Sequence, residues 1–404
     1  MPAASAAPRT KLISQNSGHA QAGDVSFTGG ISANGNSVAF MTAADNLDPG
    51  DSNASPDVYL RNVARGKTKI VSVSSSGVNG DGDSEGPAIS ASGRFIVFAS
   101  GAHNLIDGRW LPSWQIYLRD RAKGRTFLVS KNSAGGRAND MSFNPEISAD
   151  GRYVVFESNA TNLTGKGTKG AQQIYLRDRK LRKTFLISQN NVGKAGNSYS
   201  GQPQVSANGR FVAFMSWATN LTSKDTNLFD QIYLRDRKLK RTFLISQHKG
   251  KAANNETYDP RMSADGRFVV FASIASNLAA ADTNGKRDIY LRDRAKGKTK
   301  RVSLNWKGRQ LWGSSGSPDL SDNGRRIVFA SGAKNTIKGG LSGAFEHVFR
   351  RDLATGKVKL VSRSNKGGQG NGPSRMPRIS ADGRYVTFTS AATNLVPGGD
   401  ANGI

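Results

Sequence analysis

The chain has no cysteine. That excludes disulfides, thiolate metal sites and a thiol nucleophile, and it is compatible with a periplasmic or secreted setting. No run of eighteen apolar residues occurs, so nothing reads as a membrane span. Residues 1–9, MPAASAAPR, lack the apolar stretch of a signal peptide and read as a disordered lead-in. Histidine is scarce. His19, His103, His248 and His347 fall at different points of the sequence pattern, with no spacing that pairs them as metal ligands. Acidic residues are few: 30 Asp and Glu stand against 57 Lys and Arg, a net charge of +27.

What is present in abundance is one motif, written seven times. SADGRYVVF at 148–156 recurs from Ser32, Ser90, Ser206, Ser263, Ser321 and Ser380 at spacings of 57 to 59 residues. A period of this length marks a repeat architecture and must be read first. In the third copy, Asn144-Pro-Glu-Ile-Ser148 predicts a short strand opening on proline, and Ala149-Asp-Gly151 a tight turn. Tyr153-Val-Val-Phe156 predicts a strand buried on both faces. QIYLRD at 173–178 and TFLIS at 184–188 supply the third and fourth strands. Four antiparallel strands make a small sheet whose two faces need neighbours. Seven such sheets around an axis make an all-β, seven-bladed β-propeller of four-stranded antiparallel blades, one domain over 10–404.

The ends of the chain bear on closure. TKLIS at 10–14 matches the fourth strand, and Ser14 lies 18 residues before Ser32 as Ser188 lies 18 before Ser206. Residues 10–14 therefore predict the strand that closes the ring in blade seven. That blade supplies its first two strands but no counterpart of QIYLRD before Ile404. A chain cut short of its natural end is the leading expectation. Direct pairing of 10–14 with the second strand, or a strand donated by a partner, are the alternatives. The Asn repeated in every copy (Asn46, Asn104, Asn162, Asn220, Asn277, Asn335, Asn394) predicts a loop staple, because an invariant position does not build a site that differs between blades.

SADGRYVVF followed by NATNL and DIYLRDRAKGKT resembles the WD40-like PD40 repeats of TolB-type propellers, from Thr10 onward. The separate N-terminal α/β domain of TolB has no counterpart here. The resemblance implies a binding scaffold, often outside the cytoplasm, and some relatives of this kind resemble lyases of acidic sugars. It implies no particular ligand.

The charge has a place. The turns between third and fourth strands hold Arg177, Arg179, Lys180, Arg182 and Lys183; Arg235, Arg237, Lys238, Lys240 and Arg241; and Arg292, Arg294, Lys296 and Lys298, with similar sets in other blades. In an up-and-down blade these turns share a face with the first hairpin, which adds Arg94, Arg152, Arg210, Arg267, Arg325 and Arg384. One face should be a basic ring that binds a polyanion by counterion release. The competing reading is a solvated face partly paired with Asp120, Asp178, Asp236, Asp293 and Asp352. Aromatics are scarce in these turns, so base stacking is not expected.

The channel should be lined by the first strands, where Glu146, Asp259, Arg261, Asp319 and Arg378 form a variable, polar set able to read a small ligand. No cofactor is expected apart from calcium at Asp282, Asn284 and Asp288, which resemble part of a calcium loop; Asp51-Ser-Asn53 with Asp57, Asp225-Thr-Asn227 with Asp230, and Asp400-Ala-Asn402 echo it. A turn rich in Asp, Asn and Gly looks the same. GDSEG at 82–86 matches a nucleophile elbow in letters but leads into a strand, so it is set aside. GKT at 66–68 and 297–299 is only the tail of a phosphate loop.

These observations favour a non-enzymatic binding scaffold. Its basic face would take an acidic polysaccharide, a cell-surface polymer, nucleic acid without sequence preference, or an acidic protein. The alternatives are a lyase-like enzyme working through channel-mouth residues, and an assembly protein joined through an open blade seven.

Overall fold

Blade three shows how one repeat folds. Its strands are Ser142–Ile147, Tyr153–Ser158, Gln173–Asp178 and Lys183–Leu186, antiparallel and paired in chain order. The second strand is apolar on both sides, and Val154, Val155 and Phe156 are fully buried, as expected of a strand covered by two neighbouring sheets. The first strand begins two residues earlier than expected. Pro145 lies not at its start but in a bulge, where a residue without an N–H is tolerated and Asn144 takes a φ of 47°. The Ser148 hydroxyl accepts from the Tyr153 amide and donates to Asp150, which fixes the first hairpin.

The computed structural model describes residues 9–398 apart from 52, 107–113, 169, 224–228, 280–281 and 344. The expected lead-in lies outside the described residues except for Arg9. Among the described residues six sheets around the axis have four strands, and a seventh, Ser374–Ile379 with Val386–Ser390, has two. The expectation of a seven-bladed ring, its seventh blade closed by 10–14, is thus corrected to six four-stranded blades among the described residues. Residues 10–14 form no strand, which corrects the expected closing strand. Among the described residues no third strand stands beside them, so they have no backbone ladder to join. An extra ribbon, Gln247–His248 with Lys251–Ala252, follows blade four.

The sheets stand around an axis with their first strands innermost. Each first strand touches the next, and Ser26–Ile31 of blade one meets both strands of the seventh sheet, so the ring closes. The core lies between blades: Val155, Ile174 and Leu176 of blade three pack with Val212, Phe214 and Tyr233 of blade four. The same pattern joins the other complete blades in turn. Blade one packs on blade two in the same way through Ala39, Val58 and Leu60, while its other face, around Phe40, Leu47 and Tyr59, meets Ile13 of the N-terminal segment.

Hairpin glycines lock blade to blade. Gly209 has a φ of 70° and lies under the Tyr153 ring of the preceding blade; an added Cβ would come within 2.0 Å of that ring. Backbone bonds from Ala33 to Ala91 and from Ala91 to Ala149 tie successive hairpins together on this face. All seven repeated asparagines act as staples. Asn162, for instance, donates to the Arg137 carbonyl (2.7 Å) and accepts from the Asn139 amide (3.1 Å).

Candidate functional site

The predicted basic face divides into two chemically different sets. The first holds the fold. Arg177 is buried, and it donates to the Asn132 carbonyl of the preceding blade (2.9 Å) and to Thr184 (3.0 Å). Arg235 does the same with Asn190 and Thr242, and Arg292 with Gln247 and Thr299. Burial pushes the pKa of all three guanidinium groups down. Arg179, Arg237 and Arg294 donate to Gly151, Gly209 and Gly266. Their guanidinium groups lie 4.5, 4.8 and 4.4 Å from the ring centres of Phe95, Tyr153 and Phe211, each in the blade before. In the first hairpin, Arg94, Arg152, Arg210, Arg267 and Arg325 are paired with Asp120, Asp178, Asp236, Asp293 and Asp352. These acids sit below their ordinary carboxylate range; the Arg94 bond is the main cause at Asp120.

The second set stays on the surface. Lys180, Arg182, Lys183, Lys238, Lys240, Arg241, Lys296 and Lys298 are exposed, and among the described residues none of them makes an ion pair. The tips between them carry exposed Leu181 and Leu239, not aromatics.

On the axis, the structure brings the predicted channel residues together. Arg261 of blade five reaches across blade four to Glu146 of blade three (3.0 Å), and Gln204 of blade four donates to the same Glu146 oxygen (2.9 Å). Asp319 accepts from the Ile379 amide of the seventh sheet (2.9 Å). Burial raises the Asp319 pKa, against the nearby charges of Arg261 and Arg378. Arg378 donates to the Pro377 carbonyl (3.1 Å). Desolvation, then repulsion from Arg261, brings its pKa down to about 10. Asp259 lies in the bulge of blade five, where its amide donates to Gln202 (2.7 Å).

Behind the channel lies a group that sequence reasoning missed. Glu157 is buried and accepts from Asn144 (3.0 Å), Gln172 (2.7 Å) and the Gln202 amide (2.7 Å). Burial outweighs these donors and raises its carboxyl to about 7. The signal was available, because the other copies place Met41, Ala99, Met215, Ala272, Ala330 and Thr389 at this position.

The calcium-like loop is occupied by protein groups. Arg301 pairs with Asp282 (3.4 Å) and Asp288 (3.2 Å), Tyr290 donates to Asp282 (2.8 Å), and Gln310 donates to both acids. Asn284 is spent on the Leu311 carbonyl and the Lys286 amide. Among the described residues no cluster of three or more His, Asp or Glu is placed to hold a metal. The echoes at Asp225 and Asn227, and at Asp400 and Asn402, lie outside the described residues. No described helix is long and apolar enough to cross a membrane.

No family model matches the chain, and no curated protein does. Solved structures do. The propeller domain of the Trilobed protease from Pyrococcus furiosus is 11% identical, with 93% of this chain and 92% of that one covered and a TM-score of 0.56. The chain is a β-propeller. An oligogalacturonate lyase from Vibrio parahaemolyticus is similar at 13% identity over 91% of this chain and 88% of that one, with a TM-score of 0.55. TolB from Acinetobacter baumannii is similar at 17% identity over 83% and 76%, with a TM-score of 0.42. At these identities the likeness of the propeller to its neighbours is one of fold.

Proposed function

We propose that this propeller is a non-enzymatic scaffold whose hairpin face docks on an anionic polymer. The observation that carries the reading is the second set of cations. Lys180, Arg182, Lys183, Lys238, Lys240, Arg241, Lys296 and Lys298 remain exposed and without ion-pair partners among the described residues, after the buried arginines and the Arg–Asp pairs have been accounted for. Neighbouring blades repeat this arrangement, so a polymer with regularly spaced phosphate, sulfate or carboxylate groups meets several hairpins at once. Leucine at the hairpin tips offers no stacking platform, so recognition follows charge density and not base identity. A periplasmic or secreted location suits an acidic polysaccharide or cell-surface polymer as the ligand.

The test is retention on heparin and on DNA across a salt gradient, with Lys238→Glu, Lys240→Glu and Arg241→Glu combined. Arg235 and Arg237 must be left alone, since Arg235 bonds the Asn190 carbonyl and Arg237 stacks on Tyr153 of the blade before. The variant should elute earlier from both resins, and its salt slope should fall by up to about three. Unchanged affinity and slope would overturn the reading. A second reading, a lyase-like enzyme acting on an acidic polysaccharide, draws on the axial cluster of Glu146, Arg261 and Arg378. Turnover of a polyuronate that disappears in Glu146→Gln would favour it over the scaffold.

A further inference from the structure

Blades one and five share an acidic frame and differ in what faces it. In blade five, Asp282 accepts from Tyr290 (2.8 Å), and Asp288, at the head of the third strand, accepts from Ser303. In blade one, Asp51 accepts from Tyr59 and Asp57 from Ser72, the same partners at the same places in the repeat. The third strand opens on Gln115, Gln173, Gln231 or His347 in the other complete blades, so the acid pair belongs to these two alone. Blade five sets donors between its acids. Arg301 pairs with both (3.4 and 3.2 Å), and Gln310 donates to both (2.9 and 3.2 Å).

Blade one keeps the acids without those donors. Ile70 stands where Arg301 does, since the two face Tyr59 and Tyr290 across the ladder. Asn79 stands where Gln310 does, bridged back to Val73 as Gln310 is to Leu304, and its shorter side chain donates to the Gly50 carbonyl instead. Asp57 is fully buried, and its second carboxylate oxygen has no hydrogen-bond partner among the described residues. Among those residues no Lys or Arg forms an ion pair with Asp51 or Asp57. Two further acids deepen the deficit, because Asp48 and Asp83 stand where blade five has Ala279 and Ser314. Asp83 acts on Asp57 and Asp48 on Tyr59 through their charge. The Asp48 carboxylate is itself spent on the Gly50 and Ile70 amides (3.2 and 3.3 Å).

We propose that Asp51 and Asp57 form a metal-ion site, which takes a calcium-type divalent cation where blade five places the Arg301 guanidinium. A buried pair of carboxylates calls for two positive charges or for protons. Oxygen is the only ligand type offered: two carboxylates, the Asn53 side chain beside Asp57, and carbonyls of the same loop. Irregular loop oxygens suit calcium, which accepts variable geometry, better than magnesium, which demands a near-ideal octahedron. Asp51 is 8% exposed, so the pair meets the surface on its side and an ion has a way in. With only two charged ligands the ion should be held weakly, at about 0.1–1 mM.

The test strips the 404-residue protein with EDTA and melts it with and without calcium chloride at constant ionic strength. About 10 mM calcium should raise the wild-type melting temperature by roughly 2–4 °C. Asp57→Asn should lose that rise, and equilibrium dialysis with radioactive calcium should find about one bound ion fewer per chain than in wild type. Asparagine relieves the uncompensated charge, so in EDTA this variant is folded and its silence is not a failure to fold. Ile70→Arg supplies the blade-five cation from the chain itself; it should melt above wild type in EDTA and no longer respond to calcium. A full calcium response in either variant would overturn the proposal. So would a folded wild type that neither responds nor binds the ion, because a proton on Asp57 would then balance the pair. A larger rise with magnesium chloride than with calcium chloride would overturn the assignment of the ion.

Discussion

Arg301 in blade five lies between Asp282 and Asp288, and the equivalent position in blade one is held by Ile70. The register fixes the equivalence, since Arg301 pairs across the ladder with Tyr290 and Ile70 with Tyr59. Blade one nevertheless keeps both acids. Asp51 accepts from Tyr59, Asp57 accepts from Ser72, and the second Asp57 oxygen is buried with no hydrogen-bond partner among the described residues. Burial, with Asp51 and Asp83 nearby, raises the Asp57 carboxyl from 3.8 to about 7.

That shift sets a pH dependence. A carboxyl whose pKa is raised in the folded state binds its proton more tightly folded than unfolded. Its contribution to stability is therefore greatest below the unfolded value of 3.8, falls as pH rises, and levels off above about 7. Asp57→Asn mimics the protonated form. It should raise stability at pH 8 by roughly 1–4 kcal/mol and by much less at pH 5. Thermal denaturation of both proteins at the two pH values checks this; an equal shift at both would mean that Asp57 is not the titrating group.

Blade five gives the reverse case. Arg301→Met removes the cation from two buried carboxylates, which should cost roughly 3–5 kcal/mol at pH 7. Asp288 already sits at about 6, mainly through burial, and loss of Arg301 pushes it higher. The penalty should therefore shrink as the pH falls toward 5, where the acid takes up a proton. Denaturant titrations of both proteins at pH 5 and 7 measure it, and a penalty independent of pH would assign the loss to packing instead.

The two sets of hairpin cations should separate in stability. Arg235→Ala leaves the Asn190 carbonyl and Thr242 without their buried donor, a loss of roughly 2–3 kcal/mol. Lys238→Ala removes an exposed ammonium and should change stability by less than about 0.5 kcal/mol. Urea unfolding of the two variants reads the difference, and equal effects would dissolve the distinction on which the polyanion reading rests.

That distinction was only half legible in the sequence. The repeat of SADGRYVVF placed the second strands, the hairpin glycines and the asparagine staples, because each answers a local demand that one repeat states in full. The arginines answer a demand made by the neighbouring blade. Tyr175 and Arg177 alternate onto one face of their strand, so an arginine two residues after a buried tyrosine points into the same inter-blade layer. Read as turn residues, Arg177 and Arg235 look solvated. Read by strand alternation, they face the core.

Asp319 makes the last test, because its carboxylate links the first strand of blade six to that of the two-stranded sheet. Its carboxylate takes the Ile379 amide at 2.9 Å, and Leu320 donates to the other oxygen. The Ile379 bond stands beside other bonds across the same junction, from the Asp322 amide to the Ala381 carbonyl (2.9 Å) and from Arg326 to the Asp382 carbonyl (2.8 Å), but it lies on the axial side, on the first strand of the sheet. Asp319→Ala should speed amide exchange across 374–390 by about tenfold or more and leave blades two to four unchanged, since local opening is governed by local contacts. Asp319→Asn keeps an acceptor oxygen and should show a much smaller effect. Hydrogen exchange measured by mass spectrometry resolves these segments. Uniform acceleration in every blade would show that the ring opens as one unit and that Asp319 is not a local latch.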